Sequence, residues 1–165
     1  MRAARMTQLS AVLVLVTLIG CAPVAVSTST APGADLSTRH TFAWEPNRQM
    51  GGNMDNSIAG QEIHAAVNEA LEAHGFRPAE GQPPDMLVDY HVRLQNESEI
   101  EGGRWQVQEY HYTEGTLIVA LADPGTKREL WRGAAQQLVD PTASGDEQAQ
   151  EIRDAVQKMF ANFPS

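Results

Sequence analysis

Cysteine is nearly absent: the 165 residues hold one, Cys21. That excludes an internal disulfide framework, because a lone thiol pairs only between molecules. Positive charge is also scarce, with 12 Lys and Arg against 21 Asp and Glu and a formal net charge of -9. A phosphate-binding surface needs the opposite sign, so no nucleic-acid partner is expected. Aromatic residues make up 6%, few enough that a core of this size needs most of them. No apolar run reaches the roughly 20 residues that a membrane-crossing helix requires. The sequence also contains no Gly-x-Ser-x-Gly elbow and no His-Glu-x-x-His pair. Gly51-Gly52 and Gly102-Gly103 lack the further glycines and the lysine of a phosphate loop. Nucleophilic, zinc-hydrolytic and phosphoryl-transfer chemistry therefore have no foothold, and neither catalytic residues nor a cofactor are expected.

What is present begins at the N-terminus. Arg2 and Arg5 precede an uncharged apolar stretch, 7–19, and then Gly20-Cys21. A positive start, about a dozen apolar residues and a small residue at the end make up a secretory signal. The four residues Leu18-Ile19-Gly20-Cys21 resemble the bacterial lipobox. That resemblance implies cleavage between Gly20 and Cys21, with lipid on the Cys21 thiol and on the new amine. Two or more acyl chains anchor a protein durably, whereas one is marginal. Residues 1–20 are thus expected to be a cleaved signal peptide, which takes the formal charge of the remainder to -11. Ala22 after the cysteine, by the same resemblance, implies the outer membrane, on its periplasmic face.

Residues 21–38 are rich in Ser, Thr, Pro, Ala and Gly, and predict a lipidated N-terminus with a flexible tether. The remaining stretch, 39–165, is the right length for one domain. Phe42 and Trp44 share one side of a first strand, and Pro46 ends it. Asp55, Asn56 and Ser57 each offer an N-cap to a helix carrying Ile63, Ala66, Val67, Ala70 and Leu71, which Gly75 stops. Met86, Val88, Tyr90, Val92 and Leu94 alternate with mostly polar neighbours, predicting a second strand. A polar loop is expected at 96–103, then strands at 105–112 and 116–123 separated by a turn at Thr113-Glu114-Gly115. A fifth strand spans 129–139, after the turn Asp123-Pro124-Gly125. Ser144 with Glu147 predicts a capping box for a last helix, striped by Ala149, Ile152, Val156, Met159 and Phe163. Strand, helix, four strands, helix folds most economically as an α+β two-layer sandwich. That is a mixed, mainly antiparallel sheet of about five strands with both helices on one face.

Residues 39–164 resemble the bacterial lipoproteins carrying domain of unknown function family 4136. The resemblance rests on Phe42-Ala43-Trp44, Pro84-Asp85-Met86-Leu87-Val88-Asp89-Tyr90, Gly115-Thr116-Leu117-Ile118 with Asp123, Leu130-Trp131-Arg132-Gly133-Ala134-Ala135 and Phe163-Pro164. It implies an α+β envelope lipoprotein with no established reaction.

Two further groups invite a site. If the hairpin after the second strand centres near Glu101, His91 faces His111, with Asp89 or Glu109 two residues along, a set able to hold zinc or copper. A register shift of one residue separates the pair. Tyr90, Tyr110, Tyr112, Trp105 and Trp131 offer flat surfaces for a glycan or peptide, or serve as core, with Trp105, Tyr110 and Tyr112 the candidates for a groove. The functional expectation is a membrane-anchored envelope lipoprotein whose domain binds an envelope protein or polymer without catalysis. The alternatives are a metal or small-ligand binder using His91 and His111 and, less favoured, an envelope hydrolase.

Overall fold

Apolar alternation from Met86 onward and two amphipathic helical stretches meet in a single layered core. The computed structural model describes residues 24–45, 57–103 and 106–164, of which 99–103 and 106–110 by backbone alone. Gly20, Cys21 and Trp105 lie outside the described residues, so the signal cleavage and lipidation expected at Gly20 and Cys21 do too. In chain order the elements are β1 (Ala25–Thr30), β2 (Thr41–Trp44), α1 (Ile58–Ala73), β3 (Arg77–Pro78), β4 (Met86–Gly103), β5 (Gln106–Ala122), β6 (Glu129–Val139) and α2 (Gly145–Phe160).

The sheet runs β1-β6-β5-β4-β2-β3. β2 lies parallel to β4, a pairing that needs a crossover connection, which α1 supplies. β4, β5 and β6 are antiparallel. Met86, Val88, Val119, Leu121 and Trp131 of the sheet share one core with Ile63, Val67 and Leu71 of α1 and Val156, Met159 and Phe160 of α2. Both helices therefore cover the same face, and the α+β two-layer sandwich is the observed architecture.

Helix ends follow the local sequence. The Ser57 hydroxyl accepts from Gly60 N, and the Ser144–Glu147 capping box is complete. At the end of α1, Gly75 takes φ +88, Phe76 N donates to Leu71 O and Gly75 N to Glu72 O. This is a Schellman motif, which a residue with a Cβ enters only under strain. Among the described residues no helix is long and apolar enough to cross a membrane.

Two expectations are corrected. The tether at 21–38 is largely domain: β1 pairs with β6 from Ala25↔Gln136 to Thr30↔Trp131, and Leu36 is 5% exposed in the core. All six β1 residues are exposed. Its stability comes from backbone pairing at a sheet edge, so a composition poor in large apolar residues carried no sign of it. The second correction concerns the hairpin. The residues read as a loop, 96–103, and as a turn, 113–115, are strand. Gly115 pairs with Leu94 and Gln137, and a Cβ there would stand 2.6 Å from Val139 Cγ2. This glycine serves close approach of strands rather than a turn.

Candidate functional site

The corrected register decides what the two histidines can do. His91 lies opposite Ile118 and His111 opposite Ser98. Seven ladder positions separate them, about 23 Å at 3.3 Å per residue. Seven is odd, so the two side chains also start on opposite faces of the sheet. The metal set of His91 with His111 is not assembled. The physical reason is that pairing continues to Gly103↔Gln106, which moves the hairpin end beyond the assumed centre at Glu101. One part of the expected set does form: Asp89 Oδ2 stands 3.5 Å from His91 Nε2. Among the described residues no group of three His, Cys, Asp or Glu could hold a metal ion.

The aromatic set divides as well. Trp105 lies outside the described residues, as does the side chain of Tyr110. Tyr112 is half-buried opposite Glu97, and with His111, Ser98 and Asp140 it lines a shallow polar depression. Trp131 is 1% exposed, ringed by Phe160 and Phe163 at 4.9 and 5.0 Å between ring centroids. Tyr90 joins Trp44 and His64, whose rings lie 3.8 Å apart, while Trp44 Nε1 donates to Asn68 Oδ1 at 3.0 Å. These rings pin α1 to β2 and β4.

The acidic residues of the quoted motifs also act structurally. Asp85 Oδ2 accepts from His40 N, Thr41 N and Thr41 Oγ1. Those bonds, the one from His40 N first, then those from Thr41's hydroxyl and its backbone N–H, hold its carboxyl below the usual range. Arg39 donates to the Asp85 carbonyl and, at 3.0 Å, to Asp123 Oδ2. Three segments distant in sequence are thus tied together at one end of the sheet.

At the opposite end two unassigned features meet. Seven pairs of the β4–β5 ladder, Glu97↔Tyr112 to Gly103↔Gln106, run beyond the last β6 pairing at Thr113↔Val139. The resulting two-stranded arm reaches about 23 Å past the sheet. No described strand lies beside it. At its root an apolar cleft of about 250 Å³ opens between the first turns of the helices and the sheet, lined by Ile63, Val92, Leu94, Val139 and Ile152 among others. Leu94 is 62% exposed at its mouth. Glu151 lies on the cleft wall, its Oε2 accepting from Gln137 Nε2 at 3.5 Å. Burial, then the charges of Asp140 and Glu147, push its carboxyl upward.

Sequence reasoning placed Val92, Leu94 and Ile152 on apolar faces but took those faces as fully covered. The legible sign was the apolar alternation itself, which runs from Met86 on to Leu94, the exposed residue at the cleft mouth.

Among known proteins, the family described as "Domain of unknown function (DUF4136)" matches residues 26–165. A comparison with curated proteins finds no match. A PDZ domain protein from Parabacteroides distasonis has a similar fold, with TM-score 0.55 and 13% identity over 86% of this chain. This chain spans 36% of that protein's length. The PelC dodecamer from Paraburkholderia phytofirmans is similar at TM-score 0.52 and 12% identity, covering 84% of this chain and 96% of that one. At such identities the likeness is one of fold.

Proposed function

The chain belongs to the DUF4136 family, and from that premise we propose that it is an envelope lipoprotein whose domain is a non-enzymatic interaction module. Cys21 carries the lipid, the outer membrane holds it on the periplasmic side, and the domain engages a protein partner along the β4–β5 arm. The observation that carries this reading is the arm itself. A two-stranded ribbon is at best marginally stable alone in water, and its outer edges present backbone donors and acceptors suited to adding a further strand. A solved protein of similar fold is a dodecamer, which makes a second copy of this chain the first partner to test.

The test shortens the arm. Joining Asn96 to Thr113 through an Asn-Gly turn removes the ribbon and keeps every β5–β6 pair. The shortened protein is expected to melt cooperatively and to lose the partners, self-association included, that crosslinking in live cells captures with the full chain. An arm-less protein that captures the same partners overturns the reading.

A further inference from the structure

The strand that replaces the expected tether starts at the cleft end of the sheet. Ala25 pairs with Gln136 and Val26 with Ala135, so β1 enters the sheet at the same end as the cleft residues Ala135, Gln137 and Val139. Val24 packs against the core, and only Ala22 and Pro23 stand between it and Cys21. Three residue steps span at most about 10 Å. The floor of the cleft, on β4 to β6, lies one to three strand spacings of about 4.8 Å from β1. A lipid tail, about half of a 30 Å hydrocarbon core, covers that distance.

The cleft has the character of a hydrocarbon site. An enclosed apolar cavity of roughly 150 Å³ accepts benzene; this cleft is about 250 Å³, mostly apolar in its lining and open at its mouth. Its carboxylate, Glu151, is shifted toward the neutral form by its burial.

The geometry points to this cleft as the seat of one acyl chain of the protein's own lipidated Cys21. The inference rests on the lipoprotein reading above. Its consequence is mechanical. A chain held in the cleft is withdrawn from the bilayer, so the anchor holds with one chain fewer and the domain is drawn toward the membrane surface.

The full-length protein, made in cells fed a fatty acid carrying a diazirine and an alkyne, tests it. Irradiation followed by peptide mapping is expected to place crosslinks from the Cys21 lipid on the segments around Leu94, Val139 and Ile152, at the mass of a monomer. Leu94→Arg, at an exposed position, is expected to lose those crosslinks while taking up label as before and melting as the parent does. Label on Cys21 that crosslinks only to bilayer lipid, or to the cleft of another copy at the mass of a dimer, overturns the proposal and leaves the lipoprotein reading standing. Absence of label from Cys21, visible before irradiation, removes both.

Discussion

Asp123 shows how a residue taken from a motif finds its role. Its Oδ1 accepts from Gly125 N, Thr126 N and Thr126 Oγ1, and its Oδ2 faces Arg39. The Thr126 backbone bond first, then the Arg39 guanidinium and the Thr126 hydroxyl, lower its carboxyl to about 2. A carboxyl lowered on folding contributes stability above its ordinary value, and that contribution is lost as pH falls through the folded one. Asp123→Asn is therefore expected to destabilise the domain at pH 7 and to make little difference near pH 2, as urea unfolding at the two pH values would report. Glu151 has the reverse sign. Its raised carboxyl favours the protonated form, so its ionisation weakens the fold as pH rises through the folded value. Glu151→Gln is expected to gain stability at neutral pH and none in acid, by the same measurement. Gly133 is a third case: a Cβ there would stand 2.6 Å from the Trp131 ring and 3.2 Å from Met159 Sδ. The missing side chain leaves room for the Trp131 ring beside it and for Met159 of α2.

At the scale of elements, α2 is the covering helix that its stripe predicts, but the stripe is not uniform. Met159 is fully buried, while Ile152 is half-buried and lines the cleft. Met159→Ala should cost about 2 to 5 kcal/mol, and Ile152→Ala less, because no enclosed cavity is left behind. Equal losses in chemical denaturation would mean that the cleft closes over Ile152 in solution. The cap of the same helix was legible residue by residue. Ser144 and Glu147 bond reciprocally, and Ser144→Ala should cost about 1 kcal/mol. The β4–β5 hairpin was not legible in this way. Polar residues at 96–103 read as loop because a solvated ribbon needs no apolar face, and Gly115 read as a turn although Val139 crowds it.

For the whole molecule the domain boundary changes what folds alone. A chain starting at Arg39 loses β1 and the buried Leu36. It is expected to be less stable than one starting at Val24 by about 2 to 5 kcal/mol for the leucine alone, and calorimetry on the two fragments checks this. Cys21→Ser addresses the anchor: the protein should no longer incorporate labelled fatty acid and should leave the membrane fraction in a carbonate wash. Retention in that fraction would show that something other than the lipid holds it.

Local chemistry determined the parts that depend on neighbours along the chain. Caps, the glycine stop after α1 and apolar faces were readable because each is settled within a few residues. Tertiary structure alone decided the docking of β1, the length of the hairpin and hence the separation of His91 from His111. Edge pairing draws on backbone groups that every residue carries, and register is the sum of many weak pair preferences. Neither leaves a mark on side-chain composition, and the cleft and arm exist because of both.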